Sequence, residues 1–354
     1  MIGAMDISVT RLEHSKLGDI NLENIPFGRY FTDHMLEADY DGGQWKNVEI
    51  RPYQPLLMEP SMAALHYGQA IFEGIKAYKD KEGNAYIFRP KDNFKRFNNS
   101  ARRMNMPEVP EEIFIEGMRQ LIALDKNWIP GKKDHSLYVR PLMFATDAML
   151  GVRPSENYKF LIILSPTGPY YAAPMKILIE EHYTRAAPGG AGFAKNAGNY
   201  GASMLAASVA KEKGYDQVLW TDAFEHKWLQ EVGMMNVFFL IDGVAITPSL
   251  EEGTILEGVT RDSVIQGLKE KGISVEERRI SIDEVLSAYQ AGKVQEVFGT
   301  GTAAVIAPIK ELNYKGTRLN FDTEKYPVST GIKQWLNDIR EGALPDSHGW
   351  MLRV

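Results

Sequence analysis

Residues Ala186–Gly201 run AAPGGAGFAKNAGNYG. Five glycines (189, 190, 192, 198 and 201) surround a single cation, Lys195. A solvated loop ordinarily carries several charges, whereas this lysine stands among residues mostly too small to cover it. Glycine lets a backbone approach a ligand closely, and a lysine stripped of water becomes a nucleophile toward carbonyls. The same residues also describe an ordinary exposed loop lysine, and alone they favour that reading. Tyr200 is open in the same way: an acceptor or phosphate ligand near the lysine, or a half-buried tyrosine. Ala202–Lys213 reads as a helix stopped by Gly214.

Outward from this stretch, helical and strand periods interleave. Glu111–Lys126 places Phe114, Met118, Leu121 and Ile122 on one face behind Pro110, and Ser329–Arg340 repeats the pattern with Ile332, Trp335, Leu336 and Ile339. Ser281 and Glu284 have capping-box spacing. Strands are expected at Ala85–Arg89, Leu137–Phe144, Lys159–Leu164, Lys176–Glu180, Gln217–Thr221, Asn236–Ile241, Ile273–Glu277 and Gln295–Phe298. Asp242-Gly243 reads as a hairpin turn. The Pro- and Gly-interrupted run Ser165–Pro174 is the expected linker, between an α/β domain over 1–164 and a larger one over 175–354.

Bulk composition excludes several classes. At 354 residues the chain has room for about two domains. It has no cysteine, so disulfides, thiolate metal sites and a cysteine nucleophile are ruled out. The seven histidines are scattered, and no metal site is expected. A net charge of −6 and no basic run longer than two residues argue against nucleic acid. Apolar runs such as Phe160–Leu164 are strand length, too short for a membrane span. The start, MIGAMDISVTRLEHSK, turns polar too early for a secretory signal. The expectation is a soluble cytoplasmic protein.

The run Lys195-Asn196-Ala197-Gly198-Asn199-Tyr200-Gly201 resembles the K-x-x-G-N-Y segment of the branched-chain amino acid aminotransferases. Further matches follow in order: FTDHM (31–35), LHYGQAIFEGIKAY (65–78), SLYVRP (136–141), QVLW (217–220), EVGMMN (231–236), EGVTRDSV (257–264) and EVFGTGTAAV (296–305). Together they run over more than two hundred residues. The resemblance implies α/β fold type IV, with pyridoxal phosphate (PLP) between two domains and a homodimer completing the pocket. It implies exchange of the amino group of leucine, isoleucine or valine with 2-oxoglutarate, giving branched 2-oxo acids and glutamate.

The resemblance also assigns roles. Lys195 carries PLP as a Schiff base and moves the proton. Glu231, read as opening an apolar strand that continues through Phe239, faces the pyridine nitrogen. Arg96, Tyr200, Thr302 and the backbone N–H groups of Val259 and Thr260 hold the phosphate, the last two at a helix start. Phe27, Tyr67, Phe72, Tyr138 and Tyr170 wall the substrate pocket, with Val152 reaching in from a second subunit. Arg140 is the partner for a distal carboxylate, and the Ala303 N–H helps hold the α-carboxylate. Arg96 also suits a plain solvated position on an Asp92–Met104 helix.

Two departures stand out. Some relatives carry a C-x-x-C pair where this chain has Ala304 and Ala307, so no thiol switch of that kind operates. Met234 stands in EVG-x-MN where threonine or glycine is common, which bears on substrate range. The rivals are a D-amino acid aminotransferase or aminodeoxychorismate lyase of the same fold, and a nicotinamide-dependent oxidoreductase. For the last, GTGTAA would have to open a helix, yet Pro308 follows Thr302 by only six residues.

Overall fold

A computed structural model describes residues 7–22, 25–170 and 173–354. Residues 171 and 172 of the expected linker, and the first six of the N-terminal segment, lie outside the described residues. The chain forms two compact units, Met1–Tyr170 with Ala194–Gly198 and Asp338–Val354, and Tyr171–Phe193 with Asn199–Asn337. The first is the larger, which corrects the expected small and large domains over 1–164 and 175–354. Ser165–Thr167 complete a strand rather than open a linker. The C-terminal strand Met351–Arg353 returns to pair with Ala85–Phe88. Asn196 forms a β-bridge to Ile71, which ties the lysine segment to the first unit.

The first unit is built on one sheet. Its order is Ser8–Val9, Gln44–Pro52, His34–Asp41, Tyr158–Thr167, Ser136–Ala145, Ile75–Lys79, Ala85–Phe88 and Met351–Arg353, with Ala70–Phe72 also on Ser136–Ala145. Ser136–Ala145 and Tyr158–Thr167 are buried along most of their length. That is why they read as apolar runs rather than as alternation. Phe97 of the helix Pro90–Arg103, Phe114 and Phe160 interlock with ring centroids 5.3–5.8 Å apart. Glu111–Lys126, expected as one helix, is a π-helical turn at Glu112–Glu116 followed by an α-helix at Gly117–Leu124. Its four apolar residues are fully buried, as the periodicity requires.

In the second unit six strands close on themselves: Leu229–Val232, Gln217–Thr221, Met175–Ile179, Val305–Tyr314, Val294–Gly301 and Met235–Ile241. Closure removes the exposed edges that an open sheet would leave. Ile177, Leu219, Val237, Phe239, Val297 and Ile309 pack as its core. Asp242 and Gly243, at φ 50° and 79°, make the expected tight hairpin to Val244–Thr247. The capping box is half formed. The Ser281 hydroxyl accepts from the Glu284 N–H at 3.1 Å, but the Glu284 carboxylate is taken by Arg278 at 2.7 and 3.1 Å.

Candidate active site

The helix Pro90–Arg103 and the strand Ala70–Phe72 together hold Lys195. Its N–H donates to Ser100 Oγ at 2.9 Å, and its C=O accepts from the Phe72 N–H at 3.0 Å. With both backbone groups bonded, the main chain is fixed while the side chain stays half-buried. Nζ lies 4.8 Å from the Phe72 ring centroid, and the Arg140 guanidinium lies 4.7 Å from the same centroid. Arg140 Nη2 donates to Tyr138 Oη at 2.9 Å. Phe27 meets Tyr138 and Tyr170 edge-on, with centroids 4.9 and 5.0 Å apart. Gly74 admits Tyr138 here, since a Cβ would stand 2.3 Å from its hydroxyl.

Six of the expected residues, Lys195, Phe72, Arg140, Tyr138, Phe27 and Tyr170, are thus brought together within the first unit. Tyr67 is not: it ends the short helix Ala63–Tyr67 as an exposed ring. Val152, expected to reach in from a second subunit, is 88 % exposed on a loop.

Arg96 is buried, which removes the solvated reading of its helix position. Its Nε and Nη2 donate to Glu73 at 2.7 and 2.8 Å. Glu73 also accepts from Asn93 Nδ2 at 2.8 Å and from the Gly74 N–H at 3.0 Å. Burial pushes the Glu73 carboxyl upward, but Arg96, Lys195 and the Asn93 bond outweigh it and hold it below the usual range.

In the second unit Glu231 is 4 % exposed and lies on Leu229–Val232. The expected continuous strand through Phe239 is broken by a tight turn at Gly233-Met234, so Glu231 pairs across it with Asn236. Gly233 takes φ 58°, and a Cβ there would meet Gln217 Oε1 at 2.6 Å. Apolar composition hid this turn because Met234 carries no turn signature. Its side chain, 53 % exposed, lies outside the core. Glu231 Oε2 is 2.5 Å from Arg185 Nη2, and Oε1 accepts from the Leu256 N–H at 3.3 Å and Asn236 Nδ2 at 3.4 Å.

Asn236 also connects Glu231 to a helix start. Its Nδ2 donates to the Leu256 C=O at 2.9 Å, and Gly258, the N-cap of Val259–Glu270, packs against its other end. A Cβ at Gly258 would stand 2.0 Å from Asn236 Oδ1. Val259 and Thr260 open that helix, where backbone N–H groups lack intrahelical acceptors. Thr302 and Ala303 form the turn between the antiparallel strands Val294–Gly301 and Val305–Tyr314. GTGTAA therefore opens no helix. Val305 stands at φ 60°, where a β-branched residue is strained. Tyr200 lies half-buried on the short helix Ala197–Ala202.

Residues 70–312 match the family described as amino-transferase class IV. The chain belongs to that family. It is 48 % identical over 337 residues to branched-chain-amino-acid transaminase 1 of Bacillus subtilis, covering 94 % of each chain. Among solved structures, this class IV aminotransferase resembles the branched-chain aminotransferase of Thermoproteus uzoniensis with norvaline. The TM-score is 0.74 at 26 % identity, over 90 % of this chain and 99 % of that one. It also resembles the branched-chain amino acid aminotransferase of Escherichia coli. Here the TM-score is 0.73 at 28 % identity, over 90 % and 98 % of the two chains.

Three residues of this aminotransferase escape a sequence reading. Ser100 supports Lys195 from a helix face that looks merely polar. Glu73 had a signal, a carboxylate inside the otherwise apolar AIFEGI, which only burial against a cation explains. Arg185 stands one residue before the glycine-rich stretch, and its partner lies 46 positions away, beyond the reach of local pattern. Among the described residues no group of three or more His, Asp or Glu could hold a metal, and no helix is long and apolar enough to cross a membrane.

Proposed function

We propose that this chain exchanges the amino group of L-leucine, L-isoleucine or L-valine with 2-oxoglutarate, using PLP held by Lys195. The observation that carries the reading is Lys195 itself. Its backbone is bonded on both sides, and its amine faces the Phe72 ring beside Arg140. The names of relatives alike over nearly the whole chain support the substrate class.

The donor set fits PLP. A lysine amine suits its aldehyde, and a buried carboxylate suits its pyridine nitrogen. The helix start at Val259 and Thr260 suits its phosphate. Thr302 and Tyr200 would add hydroxyls. Arg96, whose Nε and Nη2 donate to Glu73, would add a guanidinium charge for the phosphate. When bound, PLP supplies the electron sink that loosens the substrate Cα proton.

Lys195 would hold the cofactor through Nζ, and the same amine, once free, would take the substrate's Cα proton. Glu231 would keep a proton on the pyridine nitrogen. Phe27, Phe72, Tyr138 and Tyr170 exclude water and accept a branched apolar side chain. Arg140 pairs with the distal carboxylate when glutamate or 2-oxoglutarate enters. Ala303 offers its N–H to the α-carboxylate, and Met234 borders it.

A homodimer completes the site, with Val152 contributed by the second copy. Val152 and Leu150, 88 % and 68 % exposed on one loop, are apolar residues that a second copy would cover. The cysteine-free composition suits the cytoplasm.

The test is a visible spectrum and an amino-transfer assay on the purified protein. A yellow band that changes on adding L-leucine, with glutamate formed from 2-oxoglutarate, is the expected result. Turnover of D-amino acids alone, or no such band, overturns the reading.

A further inference from the structure

We infer that Arg185 is a positioning residue for the reaction, keeping the Glu231 carboxylate ionised and aimed so that the cofactor's pyridine nitrogen retains its proton. This rests on the role given to Glu231 above.

The two side chains are buried together, with Arg185 Nη2 2.5 Å from Glu231 Oε2. The same Nη2 donates to the Thr254 C=O at 2.5 Å and the Gly192 C=O at 3.3 Å. Two backbone segments therefore fix the cation where it is. They can meet because position 192 is glycine. A Cβ there would stand 2.5 Å from the Thr254 oxygen and 2.6 Å from Ala186 Cβ. Part of the glycine content before Lys195 thus serves Arg185 rather than the lysine.

Oε2 of Glu231 meets the charged donor, and Oε1 accepts from the Leu256 N–H at 3.3 Å and Asn236 Nδ2 at 3.4 Å. Arg185 thus engages one carboxylate oxygen, and Oε1 is the oxygen we assign to the pyridine N–H.

The physical need for the arginine follows from burial. A carboxylate taken out of water gains affinity for protons. It would then compete with the pyridine nitrogen for the one proton between them. Arginine remains charged at any working pH and favours the ionised form of a neighbouring carboxylate. With Arg185 in place the proton stays on nitrogen and Glu231 accepts the hydrogen bond. Without it the same proton moves to Oε1, and the ring becomes neutral with no proton gained or lost by the pair. A purely structural Arg185 would instead only tie the Thr254 and Gly192 segments together.

The experiment uses holoenzyme loaded with PLP labelled with ¹⁵N in the ring. It compares wild type, Arg185→Lys, Arg185→Met and Glu231→Gln by ¹⁵N NMR and by visible absorbance against pH. Arg185→Met should move the ring nitrogen toward its unprotonated shift and lower kcat by about ten- to hundredfold, with a smaller change in KM. Arg185→Lys, which keeps the charge, should restore much of the protonated signal, and it carries the test if the Met variant does not fold. Lower thermal stability with an unmoved nitrogen shift in both Arg185 variants, while Glu231→Gln moves it, overturns this inference alone. A wild-type shift in Glu231→Gln overturns the role of Glu231 and this inference with it.

Discussion

In the first unit Glu73 receives four donors at 2.7 to 3.0 Å, two of them from Arg96. In the second, Glu231 meets Arg185 at 2.5 Å, but the Leu256 N–H and Asn236 Nδ2 only at 3.3 and 3.4 Å. Both are buried carboxylates facing an arginine. The first is saturated by short bonds and joins the helix Pro90–Arg103 to the strand segment beside Lys195. The second joins its strand to Arg185 by one charged contact and accepts from Leu256 and Asn236 at longer range. We assign the first pair to the fold and the second to the proposed chemistry.

The largest expected effect is on stability. Removing one partner of a buried pair costs about 3–5 kcal/mol, so Glu73→Ala should lower the urea midpoint of the cofactor-free protein markedly. Glu73→Gln should cost less than Glu73→Ala but more than Glu231→Gln. If Glu231→Gln proved the more damaging of the two, the contrast between the pairs would be lost.

Next comes Arg96, which we place on both sides of the comparison. Loss of a charged hydrogen bond, about 1.5–3 kcal/mol, should weaken PLP binding in Arg96→Ala by roughly ten- to hundredfold. Excess PLP should restore part of the activity. An unchanged PLP affinity together with reduced stability would confine Arg96 to its work on Glu73.

Acid sharpens the same contrast. The folded-state value of Glu73 lies below the ordinary glutamate value, about 4.3 when unfolded. A group lowered on folding contributes stability above its unfolded value and loses it as pH falls through the folded one. Urea midpoints should therefore drop in acid for the wild type, and Glu73→Gln should show a shallower acid limb. Identical limbs would mean that Glu73 carries little of the acid sensitivity.

How much of this was legible in the chain depended on the range of the interaction. Unbroken apolar runs marked Ser136–Ala145 and Tyr158–Thr167, and helical period marked the buried face of Gly117–Leu124, because burial follows the backbone. The turn at Gly233-Met234 was not legible, since Val232 and Met235 pair directly across it and leave only two residues to signal it. Lys195 stood out by isolation, but what immobilises it comes from Ser100, 95 positions earlier. The resemblance named Glu231 and Arg96, though neither motif nor spacing named their partners Arg185 and Glu73. Long-range polar pairs leave no periodic trace. The return of Met351–Arg353 to the first unit is of the same kind, a pairing across the whole chain.

The smallest expected effect concerns Met234. Methionine offers only a weak acceptor where threonine would offer a hydroxyl donor. One neutral hydrogen bond changes the specificity constant by roughly threefold to tenfold. Met234→Thr should improve kcat/KM for leucine and valine by that factor and alter the ranking of a bulkier apolar amino acid. Unchanged constants and ranking for all three would mean that the exposed thioether does not reach the substrate.

If Lys195 bonds the cofactor, borohydride reduction of the PLP-loaded protein followed by peptide mapping should find a reduced phosphopyridoxyl label on the peptide carrying Lys195. No label should appear in Lys195→Ala, which should bind PLP noncovalently and not turn over. Label on a different lysine in the native protein would contradict this role of Lys195.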